Sequence, residues 1–239
     1  MIGVSTYQLL EKVLPFIDLN VNIQSVINNA DSTYTLEICN TKWATVGFTI
    51  TIQGNQYKIV ALNFNSSLTV SGSVAPTPGS FNLYAPQFYH GSISQTDSDL
   101  GMLDPNLTLD STSKLPMIWL FEPIQDESND LLHIKMTHRE SNCTMYFFVD
   151  ANNLNANDDY YNFGILPMRQ LADAWLEALK MSGLINTEDE MESVKTTDLP
   201  KASKYNSNQK KFEQLLSQFP LTGTQMKLII PFINVKNCC

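Results

Sequence analysis

Apolar and polar positions alternate with a period of two across much of residues 33–84, which predicts β-strands. Thr45–Gln53 alternates strictly, Gly54-Asn55 follows as a two-residue turn, and Gln56–Leu62 alternates again, which predicts a β-hairpin. Further strands are predicted at 33–38, 68–70 and 81–84. Short strands separated by closely spaced turns are typical of a small β-barrel or β-sandwich.

Two other segments repeat their apolar positions every three to four residues, which predicts amphipathic helices. One covers Ser5–Asp18, and Pro15 is expected to end or kink it. The other covers Pro167–Leu179, with Gly183 just beyond its end as a stop signal. Its predicted apolar stripe consists of Met168, Leu171, Ala172, Trp175 and Leu179.

Strands are also predicted on both sides of the second helix. Those before it are Leu115–Ile124, Leu131–Glu140 and Cys143–Val149. The charged stretch Asp126–Asp130 is predicted to be a turn, so the simplest connection is an antiparallel meander. The chain is predicted to form a loop at 195–209 and a last strand at 225–235.

These elements predict an α+β fold, in which a mainly antiparallel sheet with packed helices carries an inserted small all-β barrel or sandwich. The α/β core domain is predicted to be discontinuous and to comprise residues 1–23 and 93–239. The inserted β-domain is predicted at residues 24–92, where the short strands are concentrated.

Composition narrows the class of protein. The net charge of −9 argues against a general nucleic-acid-binding protein, because phosphate contacts need clustered Lys and Arg. The four cysteines include no CxxC pair, so reduced thiols in a cytoplasmic compartment are expected. The first residues lack the pattern of a signal peptide, and no apolar run approaches the roughly 20 residues of a membrane span.

Candidate catalytic and metal-binding groups are few. No nucleophile-elbow, zinc-protease, phosphate-loop or dinucleotide pattern is present. His133 and His138 are five residues apart in a predicted strand, so they point to opposite faces. The acidic loop after Asp150 fails the calcium-loop pattern, because Asn155 replaces the turn Gly and Tyr161 replaces the final Glu. We therefore expect no enzyme, no metal site and no cofactor.

Three segments carry a resemblance to a known family: "LPMIWLFEPI" at 115–124, "ILPMRQLADAWLEAL" at 165–179 and "LTGTQMKLIIPF" at 221–232. With the order of the predicted elements, they resemble the tail terminator and neck (tail-completion) proteins of long-tailed bacteriophages. The pattern covers roughly two thirds of the chain, and the β-insertion at 24–92 departs from the small members of that family.

The resemblance implies a structural virion protein without catalysis or cofactor, assembled in the host cytoplasm and located in the tail or neck. Such subunits form a ring, commonly a hexamer, that ends the tail tube and joins it to the neck or head connector. The implied partners are other copies of the chain, the tail tube protein and the connector protein. DNA would pass through the lumen without sequence-specific binding, and no membrane would be involved.

Candidate functional residues under this reading follow from charge and expected exposure. A polar strand face is a candidate subunit or partner interface: His133, Lys135 and Arg139. An acidic run is a candidate lumen or exposed face: Glu188, Asp189, Glu190 and Glu192. The loop at 150–161 is a further candidate contact region.

Two alternatives remain open. The chain could be a head-completion or baseplate adaptor protein, with the same kind of partners in a different position. It could instead be a carbohydrate- or receptor-binding module that uses aromatic residues of the β-domain as a platform, although such residues more often fill a barrel core. These aromatic residues are Trp43, Phe48, Tyr57, Phe64, Phe81 and Tyr84.

Overall fold

The computed structural model describes residues 6–29, 31–91, 116–128, 138–150, 161–185, 195–199 and 221–233. Within these ranges the chain forms two β-sheets, here called the first and the second sheet, and a few helical segments. The predicted mainly antiparallel sheet with packed helices is confirmed. The α+β class fits only loosely, because the described α-helices are the short α1, Thr6–Glu11, and α2, Leu166–Met181.

The first sheet has six strands in the order β3-β4-β5-β2-β1-β6, and all its pairings are antiparallel. The strands are β1 Asn20–Asn28, β2 Thr33–Ile38, β3 Thr49–Ile52, β4 Asn55–Asn63, β5 Ser67–Ser71 and β6 Gly79–Asn82. Its edge strands β3 and β6 lie against each other, so the sheet curls into a nearly closed barrel. Thr77 Oγ1 donates a 2.8 Å hydrogen bond to Gln53 Oε1, joining the loops beside these two edges.

The predicted hairpin is present, but its turn lies one residue earlier than expected. Ile52 pairs with Asn55, so the turn residues are Gln53 and Gly54, with φ of +51° and +83°. Two positive φ values are what a type I′ turn requires, and Gly meets that requirement without strain. Strand β1 was not predicted, because only Val21 and Ile23 are buried along it and the apolar alternation is short.

The second sheet has five strands in the order β10-β11-β9-β8-β7. The strands are β7 Gln87–Gly91, β8 Met117–Ser128, β9 His138–Asp150, β10 Lys195–Leu199 and β11 Leu221–Ile233. Strands β7 and β8 are parallel, and the other pairs are antiparallel. Strands β9 and β11 pair along the whole length of both, from Asp150–Leu221 to His138–Ile233.

The predicted meander is wrong in two respects. Residues 138–150 form one continuous strand, where two were predicted, because Ser141 is buried and continues the pairing with Ile230. Residues 126–128, predicted to be a turn, belong to β8 and pair with β9. Residues 129–137 lie outside the described part of the chain. Strand β10 occupies residues that were predicted to be a loop.

Both predicted helices are present. The first is shorter than expected: α1 ends at Glu11, and Pro15 lies in a 3-10 turn, Leu14–Phe16, as its fixed φ favours. The second is α2, which follows a π-helical turn, Tyr161–Ile165, and has Pro167 in its first turn. The predicted stripe of α2 is buried and packs on β9 and β11.

One hydrophobic core runs through the first sheet, α1, α2 and one face of the second sheet. The opposite face of the second sheet is aromatic and is also buried at Trp119, Tyr146 and Phe148. The Tyr146 and Phe148 rings stack with centroids 5.5 Å apart, and Trp119 stacks on Tyr89 at 5.9 Å. Because the core is continuous, α2 holds a fixed position relative to the first sheet.

Candidate functional site

A groove of about 350 Å³ lies where α2 meets the first sheet. We call it the junction groove. One wall is formed by α2, through Gln170, Asp173, Ala174, Glu177, Ala178 and Met181. The other wall is formed by the 3-10 turn and the loop after β2, through Phe16, Asp18, Asn40, Lys42 and Trp43. The groove is therefore built by segments that are more than a hundred residues apart in sequence.

The α2 wall presents two carboxylates and two small side chains. Asp173 and Glu177 are four residues apart, so they lie one above the other on the exposed face of the helix. Burial raises the pKa of Asp173 above its ordinary value, the neighbouring Glu177 raises it further, and Arg169 partly opposes both effects. The small Ala174 and Ala178 leave the space between these acids and the opposite wall open.

The opposite wall contains an ion pair that neutralises itself. Lys42 Nζ donates 2.8 Å hydrogen bonds to the carboxylate and to the backbone carbonyl of Asp18. The Lys42 hydrogen bond, followed by the backbone N–H of Asn20, lowers the pKa of Asp18. Lys42 is the single cation among the described residues that line the groove, and its pairing with Asp18 leaves no lining cation to pair with Asp173 and Glu177.

Polar contacts hold the two walls together. The side-chain oxygen of Asn65 accepts hydrogen bonds from Gln170 Nε2 at 2.9 Å and from the backbone N–H of Thr41 at 3.2 Å. Asn65 has a φ of +54°, which turns its side chain within a tight loop between β4 and β5. Thr45 Oγ1 donates to the carbonyl of Phe163, before α2. These bonds fix the width of the groove, because they join both walls to one another.

The side chains predicted as interface residues are not placed by the described part of the chain. His133 and Lys135, the acidic run Glu188–Glu192 and most of the 150–161 loop lie outside it. Arg139 is in β9, where its backbone is paired with Phe232 and Ser128. The interface and lumen assignments of these residues therefore stay predictions.

The aromatic residues of the first sheet have a clear position. Trp43, Phe48, Tyr57 and Phe81 are buried, which confirms their interpretation as core residues. Only Tyr84 is largely exposed, and its carbonyl accepts a 3.2 Å hydrogen bond from Trp43 Nε1. Of the six proposed platform residues, Tyr84 and the half-buried Phe64 are the two left to contact a sugar.

The junction groove was not predicted from the sequence. The sequence does indicate the acidic face of the α2 wall. Asp173 and Glu177 are four residues apart, which places them on one helix face, and the small Ala174 lies between them in the sequence. No such signal marks the opposite wall, because the position of Lys42 beside α2 depends on contacts distant in sequence. An acidic helix face without its opposing wall is indistinguishable from ordinary solvated surface.

Within the described ranges, no three His, Cys, Asp or Glu side chains are grouped so that they could hold a metal ion. None of the helices in those ranges has the length and apolar content that a membrane span requires. No protein-family model matches the chain, and no curated protein and no solved structure matches it significantly.

Proposed function

We propose that this chain is a structural assembly protein of a tailed-phage virion, a subunit of the ring that terminates the tail tube and joins it to the neck. The observation that carries the proposal is the spatial arrangement of the three segments that resemble the tail terminator family. Segment 115–124 contributes to β8, segment 165–179 forms most of α2, and segment 221–232 lies in β11. Strands β8 and β11 flank β9 in the second sheet, and α2 packs on β9 and β11, so the three segments lie around one strand.

The second sheet and α2 have the rigidity that a subunit of a stable ring needs. Strands β9 and β11 are each thirteen residues long, which corresponds to about 40 Å of continuously hydrogen-bonded sheet. Helix α2 covers one face of that sheet with a fully buried stripe that includes Trp175. A long sheet with one face joined to a continuous core resists bending, because deformation would break many contacts together.

The charge of the chain is compatible with DNA passing by without adhering. A net charge of −9 gives repulsion, not attraction, between the average protein surface and phosphate groups. We propose that six copies of the chain form the ring. The tail tube protein lies on one side of it and the connector protein on the other. Assembly would take place in the host cytoplasm, and the mature location would be the virion.

The test combines mass with tube growth. The native mass of the purified full chain should be measured across a concentration series at low and high salt, where we expect a closed oligomer. The chain should then be added to polymerising tail tube protein and the tubes measured by electron microscopy. We expect short tubes with added density at one end.

Each outcome of the tube assay decides between named functions. Tubes that neither stop growing nor bind the chain would overturn the terminator proposal. Binding at a tube end without arrest of growth would replace it with an adaptor role.

A further inference from the structure

The junction groove presents negative charge that the described structure leaves uncompensated. Asp173 and Glu177 repel one another across one helical turn, which is unfavourable in an isolated helix. Lys42 does not relieve this repulsion, because its ammonium group is held by Asp18 at 2.8 Å. Arg169 does not relieve it fully either, because its guanidinium is bound to Asp198 through two hydrogen bonds of 2.6 and 2.7 Å. A cation placed in the groove would remove the repulsion.

The groove also offers apolar contacts at its margins. The side chains of Phe16 and Met181 are 46% and 72% exposed and lie on opposite walls. Small residues on α2 keep the space between them open. An occupant that suits both features carries positive side chains and at least one aromatic or aliphatic side chain close by. A lysine-rich peptide segment has this character, whereas a free metal ion has no use for the apolar margins.

The sequence contains such a segment. Residues 201–212, KASKYNSNQKKF, include four lysines and no acidic residue, together with Tyr205 and Phe212. The segment carries a charge of +4. Because the whole chain has a net charge of −9, the remaining residues together carry −13. These residues lie outside the described part of the chain. In a strongly acidic chain, this segment is the natural electrostatic complement of the junction groove.

The chain on either side of the segment is anchored near α2. Strand β10 ends at Leu199, whose carbonyl accepts a 3.0 Å hydrogen bond from Thr222 Oγ1 at the start of β11. Leu199 and Thr222, on either side of residues 200–220, are therefore close together, and Asp198 beside Leu199 is bound to Arg169 of α2. About ten extended residues span at most roughly 35 Å.

We propose that the junction groove receives the lysine-rich segment 201–212 of a neighbouring copy of this chain. The contact is heterologous, because groove and segment are different surfaces, and repetition of such a contact closes a ring when the rotation permits. This inference rests on the proposed ring function for its biological meaning. The contact itself can be tested without tail tubes.

The first test measures binding of a probe peptide. A fluorescent peptide with the sequence of residues 201–212 is titrated with the full chain in which all four of these lysines are replaced by Ser, so that the chain's own segment does not compete. We expect saturable binding that weakens as salt rises from about 50 to about 500 mM, because charge pairs are screened. Adding Asp173→Asn and Glu177→Gln should weaken binding about tenfold.

A matched control separates a groove effect from a general charge effect. Glu11→Gln with Glu37→Gln removes the same two charges from exposed positions that do not line the groove. We expect the control to bind the peptide as the parent does. Equal weakening in both double variants would overturn the proposal, and so would absence of binding at about 1 mM peptide.

The second test exchanges charges between two chains. One variant carries Asp173→Lys and Glu177→Lys, and the other carries Lys210→Glu and Lys211→Glu. Mass photometry should show that each alone loses the self-association of the parent and that an equimolar mixture regains it. If the mixture does not regain self-association, the proposed contact between copies is overturned. Self-association of either variant alone would overturn it as well. If the parent does not self-associate, the peptide titration decides.

The two proposals fail in different ways. If the peptide binds the groove and the mixed variants associate, but tail tubes are unaffected, the contact stands and the terminator function falls. If tubes are arrested equally by the parent and by the Asp173→Lys, Glu177→Lys variant, the terminator function stands and the proposed contact falls.

Discussion

The two sheets of this protein differ in the pattern of buried residues along their strands. In the first sheet the strands are short and bury alternate residues, as β2 shows with Tyr34, Leu36 and Ile38 inside. In the second sheet the strands are up to thirteen residues long, and β9 is buried without interruption from Met145 to Val149. A sheet covered on one face keeps a period of two, whereas a sheet covered on both faces becomes apolar at every position.

The sheets also differ in how distant their partners are in sequence. In the first sheet, β3 and β4 are joined by two residues and β4 and β5 by a short turn, although β1 and β6 pair across some fifty residues. In the second sheet, β9 pairs with β11, although some seventy residues separate them along the chain. Short-range pairs are fixed by local turns, and long-range pairs depend on a packed core that is already complete. The pairing of β9 with β11 should therefore be more sensitive to substitutions in the core than the hairpin of β3 and β4.

The largest expected effect is that of Trp175→Ala. Trp175 is fully buried in α2, between the second sheet and the core shared with the first. Removing so large a side chain creates a cavity that the surrounding structure fills only partly, and we expect a loss of about 3–5 kcal/mol in the free energy of unfolding. Urea denaturation followed by circular dichroism measures it. A loss below about 1 kcal/mol would show that α2 is not needed to hold the sheets together.

The second effect compares Gly223 in β11 with Gly72, which directly follows β5 of the first sheet. A Cβ at Gly223 would collide with the carbonyl oxygen of Phe147 in the paired strand β9, and backbone atoms there cannot move without breaking the pairing. A Cβ at Gly72 would meet the buried ring of Tyr57, a side chain whose displacement breaks no strand pairing. We expect Gly223→Ala to lose about 3 kcal/mol or more and Gly72→Ala about 1–2 kcal/mol. Equal losses in thermal unfolding would contradict this ranking.

The part of the fold that could be predicted from the sequence is the part governed by local rules. Helix α2 was predicted with its buried stripe, and the hairpin of β3 and β4 with a shift of one residue at Gly54. The break of the first helix before Pro15 was predicted as well. Each of these depends on side-chain period, turn chemistry or the missing N–H of proline.

The remaining features depend on contacts that sequence patterns do not encode. Residues 138–150 look like two strands, because the polar Ser141 and Asn142 interrupt the apolar run. The structure buries Ser141, with its hydroxyl 3.3 Å from that of Thr6, so the strand continues through it. The junction groove was missed for the same reason, since Lys42 reaches the neighbourhood of Asp173 only after both sheets have packed.

A smaller effect distinguishes two buried tryptophans by their hydrogen bonds. Trp43 Nε1 donates to the carbonyl of Tyr84 at 3.2 Å, whereas Trp175 Nε1 is buried with no hydrogen-bond partner among the described residues. Trp→Phe removes about the same volume at either site, so the difference between the two variants reports the hydrogen bond. We expect Trp43→Phe to lose about 1 kcal/mol more than Trp175→Phe. Equal losses, or a larger loss at Trp175, would show that the Trp43 bond contributes nothing net.

The smallest expected effect concerns Asp173 and depends on pH. The pKa of Asp173 is raised in the folded protein by burial and then by Glu177, so the folded state holds its proton more tightly than the unfolded state. Stability therefore falls as pH rises through that pKa, and the penalty is complete at neutral pH. Asp173→Asn should stabilise the protein at pH 7 by about half a kcal/mol or less, because solvent screens the group. Below the unfolded pKa of about 4 the gain should vanish.

This last prediction separates a binding residue from a merely tolerated one. If the junction groove receives a lysine-rich segment, Asp173→Asn raises the stability of the isolated chain and at the same time weakens its binding of the 201–212 peptide. A residue with only a structural role would not move these two quantities in opposite directions. Urea denaturation at pH 7 and at about pH 3.5, beside the peptide titration, measures both. A variant that is less stable at pH 7, or one that binds the peptide as the parent does, would refute the assignment of Asp173 to a partner contact.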